Sequence, residues 1–126
     1  MSSFNDGSES VIGAAIKVHS ILGPGLLESA YEACLAQELR NRGHEVVTQV
    51  PIPVTYEGRR LDVGYRADMI VDERILIELK AVTKIIPIHE AQVISNLKLS
   101  GYRIGLLINF QTRRLKDGIT RFVNDG

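Results

Sequence analysis

Apolar positions along this chain of 126 residues follow two different periods. Val11, Ile12, Ala15, Ile16 and His19 recur at helical spacing, which predicts a helix ending near Leu22 that Ser8 or Ser10 could cap. Gly23-Pro24-Gly25 stops it. Leu27, Tyr31, Cys34, Leu35 and Leu39 form a second stripe, predicting a helix from Leu26 to Asn41 that Gly43 ends. The Gly-Pro-Gly segment lacks both the preceding strand and the following Lys-Ser/Thr of a phosphate-binding loop. It reads as a tight corner between helices.

From Val46 the period changes to two. Val46–Tyr56 and Arg60–Tyr65 flank Glu57-Gly58 as the arms of a hairpin. Pro51 and Pro53 make the first arm an edge or bulged strand, because proline gives no N–H to a ladder. Ala67–Val71 and Arg74–Val82 follow around an Asp72-Glu73 turn. Ile75-Leu76-Ile77 is apolar at consecutive positions, as in a strand covered on both faces. A third helix is expected at Ile88–Ser100, closed by Gly101, then a buried strand Tyr102–Phe110 and a short one at Ile119–Val123. The order ααββββαββ is a mixed α/β fold. Residues 1–7 are expected to be a disordered terminus and 8–126 a single domain, since two cores cut from so short a chain would be marginal.

Charges interrupt this apolar frame at three places. Glu78 and Lys80 lie two apart in ILIELKAV, so on a strand they share a face. Burying such ions costs several kcal/mol each unless they are paired or hold another ion. Asp68 stands alone in ADMIV of the neighbouring strand. A tight Asp72-Glu73 turn pairs residues whose numbers sum to about 145, which puts Asp68 beside Ile77–Glu78. Two carboxylates and an ammonium on adjacent strands suit a hard cation such as Mg²⁺ or Mn²⁺, and a lysine there could stabilise an oxyanion. A buried charge network that only fixes register fits the same spacing.

Composition narrows the setting. The chain is 44% hydrophobic and 24% charged with four prolines, as expected of a globular protein. Lone Cys34 excludes an internal disulfide and fits a reduced, cytoplasmic location. The three histidines lack zinc-ligand spacing; His19 and His89 could approach the site, although structural roles suit them better. Neither a signal peptide nor a membrane-length apolar run is evident, so no membrane association is expected. Net charge is zero, but residues 1–79 hold 7 Lys/Arg against 12 Asp/Glu and residues 80–126 hold 8 against 3. An acidic and a basic half could face a metal and phosphates; solvated surface charge explains the asymmetry equally well. Arg113, Arg114, Lys116 and Arg121 form a basic C-terminal cluster suited to a phosphate backbone or simply to water. With four Tyr, three Phe and no Trp, recognition led by the backbone is expected rather than base stacking.

Asp68…Glu78-Leu79-Lys80, between helices and strands in this order, resembles the PD-(D/E)XK nuclease superfamily. The likeness sharpens with Gly25-Leu26-Leu27-Glu28-Ser29-Ala30-Tyr31, Arg66-Ala67-Asp68, His89-Glu90-Ala91-Gln92 and Leu106-Leu107-Ile108-Asn109-Phe110. Together these are similar to the GxxExxY family, a small member of that superfamily, over residues 10–124. The resemblance implies a restriction-endonuclease-like core, αβββαβ, with an extra N-terminal helix and a short C-terminal strand. It implies a Mg²⁺- or Mn²⁺-dependent nuclease acting on DNA or RNA through a metal-activated water. Asp68, Glu78 and the Leu79 carbonyl would be metal ligands. Lys80 would place the water or stabilise charge, Glu28 would add a carboxylate, and Gln92 would orient nucleophile or phosphate. Tyr31, with Arg113 and Arg114, is a candidate for substrate contact; core packing suits Tyr31 as well. Asn96 stands where family members tend to have an aromatic, which bears on substrate contact rather than chemistry. The alternatives are a non-catalytic module that binds nucleic acid or protein on the same fold, and hydrolysis of a small phosphoester. A homodimer fits the small size by analogy.

Overall fold

The computed structural model describes residues 6–125. Its elements in chain order are α1 (Ser8–Leu22), α2 (Glu28–Asn41), β1 (Val46–Pro51), β2 (Val54–Tyr56), β3 (Arg59–Leu61), β4 (Arg66–Val71), β5 (Ile75–Lys80), α3 (Pro87–Ser100), β6 (Ile104–Asn109), a 3₁₀ turn (Leu115–Gly118) and β7 (Ile119–Val123). Five strands form one sheet in the order β1-β4-β5-β6-β7, and β2-β3 form a separate hairpin. Among the described residues only β5 and β6 run parallel, joined by the crossover through α3. The sequence α2, β1, β4, β5, α3, β6 traces a restriction-endonuclease-like αβββαβ core. Helix α1 precedes it, β7 follows it, and the β2-β3 hairpin is inserted between its first two strands.

The sheet buries both faces. On one side α1 and α2 cover Val46, Met69, Val71, Ile75, Ile77, Leu79, Leu106 and Ile108. On the other, Val93 and Leu97 of α3 cover Ala67, Ile70, Leu76 and Leu107. Alternation along β5 therefore assigns Ile75, Ile77 and Leu79 to the α1-α2 side and Leu76 to the α3 side. Helix α3 packs closely because β6 has a glycine beneath it: a Cβ on Gly105 would stand 2.8 Å from Leu97 Cδ1 and 3.1 Å from Val93 Cγ1.

Several expectations move. The cap of α1 is neither Ser8 nor Ser10; the helix begins at Ser8, and the Asp6 carboxylate accepts its N–H at 2.9 Å. Asp6 also pairs with Arg121. The expected frayed terminus lies outside the described residues except for these last two positions, Asp6 and Gly7. The strand expected over Val46–Tyr56 is broken at Ile52-Pro53, where Pro53 interrupts the ladder and Ile52 turns into the α3 core. Its hairpin partner stops at Leu61 rather than Tyr65. The Glu57-Gly58 turn stands, with Tyr56 opposite Arg59. The Asp72-Glu73 turn stands as well, both residues left-handed with φ of 54°. Among the described residues no helix is long and apolar enough to cross a membrane.

Candidate functional site

Strands β4 and β5 pair regularly through Val71↔Ile75, Ile70↔Leu76 and Met69↔Ile77. One step further the two strands part. There Asp68 Oδ2 accepts the Leu79 N–H at 2.7 Å, so a side chain replaces the backbone partner. The anticipated register is right to within one residue, and it sets Asp68 beside the start of Glu78-Leu79-Lys80. By alternation Glu78 and Lys80 sit on the α3 side, and Lys80 Nζ lies 3.6 Å from Glu78 Oε2. Neither side chain is more than 18% exposed.

Electrostatics set this cluster apart from an ordinary ion pair. Burial, then repulsion from Asp68, push the Glu78 carboxyl up to about 7; Lys80 opposes the shift and Glu28 adds to it. Glu78 Oε1 is buried with no hydrogen-bond partner. An unsatisfied buried carboxylate oxygen is costly, since its desolvation is uncompensated. Lys80 alone does not resolve that cost.

The other end of the cluster comes from α2. Glu28 opens the helix, and the corner before it is pinned from below. Tyr31 is fully buried, stacks on Phe110 at a ring separation of 4.4 Å, donates its hydroxyl proton to the Gly23 carbonyl at 2.6 Å and accepts the Leu26 N–H at 3.1 Å. Tyr31 therefore departs from the substrate-contact reading: both polar bonds of its hydroxyl go to the Gly-Pro-Gly corner, and the ring is core. What the residue does is fix the Gly-Pro-Gly corner from which α2 starts at Glu28, itself exposed.

Two residues that the sequence reading passed over belong here. Glu32 lies one turn after Glu28, so both project from the same helix face. Burial raises its pKa, and repulsion from Asp68 and Glu28 adds to the effect while Gln49 counters it. The Gln49 amide donates to Glu32 Oε1 at 2.7 Å and lies 3.5 Å from Asp68 Oδ1, bridging helix and strand. Gln49 is left-handed, with φ of 54°, and drops out of a β1-β4 ladder that is regular on both sides of it, from Thr48↔Met69 to Val50↔Ala67. Sidedness changes across this break. Val46 and Met69 pack beneath the α1-α2 pair, whereas Val50 and Ala67 pack toward α3. Asp68 thus occupies the point where both strands turn over. Glu32 was visible as the i+4 neighbour of Glu28; nothing local in the sequence marks Gln49.

At its far end the site is held by Asn109, also unassigned from sequence. Its buried side chain accepts the Val82 N–H at 3.1 Å and donates to the Val82 carbonyl at 2.9 Å, fixing the chain just after Lys80. Phe110 N–H bonds to the Lys80 carbonyl at 2.8 Å. Arg113 and Arg114 follow, exposed, at this same end of the sheet. Arg121, expected in the same basic cluster, is instead paired with Asp6. His19 bonds the Thr112 carbonyl and His89 caps the start of α3, so both histidines are structural. Gln92 and Glu78 line one groove together with the buried Asn96.

The donor chemistry is oxygen only and suits a hard divalent cation: an orphaned carboxylate oxygen, a second carboxylate fixed by a backbone N–H, and two more carboxylates, Glu28 and Glu32, on α2. Among the described residues, no group of three or more His, Cys, Asp or Glu side chains already stands close enough to hold an ion. A separate depression of about 570 Å³ at the N-terminal ends of β5 and β6, between Arg74, Arg103 and Ile104, lies away from these carboxylates.

The family model described as the PD-(D/E)XK nuclease superfamily matches residues 5–122. Among solved structures, an alkaline exonuclease from Laribacter hongkongensis is similar, with a TM-score of 0.47 and 17% identity over 93% of this chain and 82% of that one. No curated protein matches the chain.

Proposed function

The chain belongs to the PD-(D/E)XK nuclease superfamily, and from that premise we propose that it is a divalent-metal-dependent nuclease hydrolysing phosphodiester bonds at the fork between β4 and β5. The observation that carries the proposal is Glu78 Oε1, a buried acceptor with no partner on a carboxyl whose pKa is pushed up to about 7. A residue that served only to fix register would have been satisfied by Lys80.

Asp68, Glu78 and the Leu79 carbonyl would hold Mg²⁺ or Mn²⁺, with Glu28 as a further carboxylate. The bound ion would supply a water of lowered pKa and neutralise charge on the scissile phosphate. Asp68 is kept in place by the Leu79 N–H, which fixes its Oδ2, while Oδ1 lies 3.5 Å from the Gln49 amide. Lys80, anchored through its backbone by Phe110, would hold the attacking water or stabilise the developing oxyanion. Gln92 would orient the nucleophile or the phosphate from α3. Arg113 and Arg114 would meet the nucleic-acid backbone as point charges at this end of the sheet. The finer likeness to the GxxExxY family would have this physical reading: the Gly23 carbonyl accepts the Tyr31 hydroxyl proton, the Leu26 N–H donates to the same oxygen, and the corner so formed would deliver Glu28. A cytoplasmic location and a homodimer remain part of the proposal.

The test is cleavage of labelled DNA and RNA by purified protein with Mn²⁺, alongside Asp68→Ala and Lys80→Ala. We expect metal-dependent cleavage that falls at least about 100-fold in both variants. Absence of metal-dependent cleavage, or cleavage equal in the variants, contradicts the proposal.

A further inference from the structure

Helix α3 carries two stripes, and only one of them is core. Val93 and Leu97 pack on the sheet. Ile88, Ala91, Gln92, Ser95, Asn96 and Leu99 recur at spacings of three and four on an adjoining face, and this face forms one wall of a groove of about 740 Å³. Val54, Tyr65 and Arg66, at the two ends of the β2-β3 hairpin insertion, form the other wall, and Glu78 contributes where the groove meets the acidic cluster. Ile88 is 54% exposed, Leu99 38% and Tyr65 55%. Large apolar side chains are thus left in water along a channel that begins at the candidate metal ligands.

We propose that this groove receives an unpaired strand of the substrate, with its bases laid against α3. The inference rests on the nuclease reading above and narrows its substrate to single-stranded nucleic acid, or to a frayed end. The lining matches the chemistry of unpaired bases, which have flat apolar faces and polar edges. Tyr65, Ile88 and Leu99 offer surfaces for the faces; Gln92, Ser95 and Asn96 offer amide and hydroxyl groups to the edges. Arg66 and Lys98 flank the channel as cations for the intervening phosphates, and one Arg66 N–H is held on the Gln49 carbonyl at 3.3 Å. A duplex presents phosphates outward and keeps its base faces stacked, so it has no use for a groove of this lining. The volume falls within the range of about 300–1,000 Å³ typical of sites that enclose organic ligands. The low aromatic content argues for recognition through the backbone, but a single tyrosine beside the site is enough to stack a base. Asn96 then forms a polar floor, which shifts reading toward base edges.

The experiment measures fluorescence anisotropy of a labelled unpaired oligonucleotide and of the matched duplex in EDTA. It compares the intact protein with Tyr65→Ala and Ser95→Trp; the second fills the groove from an exposed helix position. We expect the unpaired strand to bind at least about 10-fold tighter than the duplex. Tyr65→Ala should weaken it by about 5-fold or more, the loss of one stacked base. Ser95→Trp should do at least as much while duplex binding and the melting temperature stay unchanged. Tighter binding of duplex, or an unpaired strand indifferent to both variants, overturns the inference. A shift from dimer to monomer in Ser95→Trp by sedimentation would assign the groove to a second copy of the chain and also overturn it. The two claims fail separately. Mn²⁺-dependent duplex cleavage unaffected by groove variants removes the groove and leaves the nuclease; unpaired-strand binding by a protein that cleaves nothing removes the nuclease and leaves the groove.

Discussion

The two halves of β5 obey different rules. Ile75, Leu76 and Ile77 pair residue for residue with Val71, Ile70 and Met69, and all six are buried apolar side chains. In the next three residues, Glu78, Leu79 and Lys80, the ladder to β4 gives way to a side-chain bond from Asp68. The parallel ladder to β6 continues unbroken through Lys80↔Asn109. The first half of the strand spends its burial on stability. The second, still supported from one side, carries two half-buried charges. The sheet is laddered on both sides of β5 where its residues are apolar and on one side only where the candidate ligands lie, at the carboxyl end of β5.

Substitutions can separate the two halves. Ile77→Ala should lower unfolding free energy by about 3 kcal/mol, because a fully buried side chain leaves a cavity between α2 and the sheet. Cleavage per folded molecule should change little. Denaturant melts beside rates normalised to the folded fraction would check this, and a specific loss of rate would show that the two halves are not separable.

Glu78→Gln should act in the opposite sense. A carboxyl raised from 4.5 to about 7 binds more protons folded than unfolded between those values. In metal-free buffer the wild type therefore loses stability as pH rises from about 4.5 to 7, and below that window the effect vanishes. The glutamine variant should lack this slope and be more stable by about 2 kcal/mol above pH 7. Melting temperatures in EDTA from pH 4 to 8 would decide; parallel curves for the two proteins would remove the strained carboxylate from the account.

Tyr31→Phe should cost about 1–2 kcal/mol, since the Gly23 carbonyl and the Leu26 N–H lose their shared partner. A several-fold fall in cleavage should accompany it as the corner before Glu28 loosens. An unchanged rate in a destabilised protein would make the corner purely structural. The smallest effect is expected at Gln49, whose left-handed backbone suits glycine better. Gln49→Gly should raise the melting temperature slightly yet lower cleavage, because the amide between Glu32 and Asp68 is gone. If Gln49→Gly cleaves as well as the wild type, the bridge has no part in the site.

Much of this was legible in the residues. Helical stripes, the two turns at Glu57-Gly58 and Asp72-Glu73, and the same-face pairing of Glu78 with Lys80 are short-range consequences of period and turn chemistry. Elements were misjudged where a tertiary demand overrode the local pattern. Pro53 and the buried Ile52 split one expected strand in two, and α1 is capped at Gly7, with Asp6 rather than a serine side chain accepting its first N–H. Tyr31 carried two equal readings because its spacing from Glu28 says nothing of depth. Gln49 and Asn109 were out of reach for the same reason: their roles depend on Glu32 and Val82, 17 and 27 residues away. The groove along α3 likewise needs the hairpin brought back beside it.

The central claim is that the β4-β5 fork holds a divalent cation, and titration of Mn²⁺ into the purified protein by calorimetry at pH 8 tests it most directly. We predict saturable binding that disappears in Asp68→Ala and weakens at pH 6 as Glu78 takes up a proton. A wild-type protein that binds no Mn²⁺, or binds it equally well in Asp68→Ala, contradicts the account.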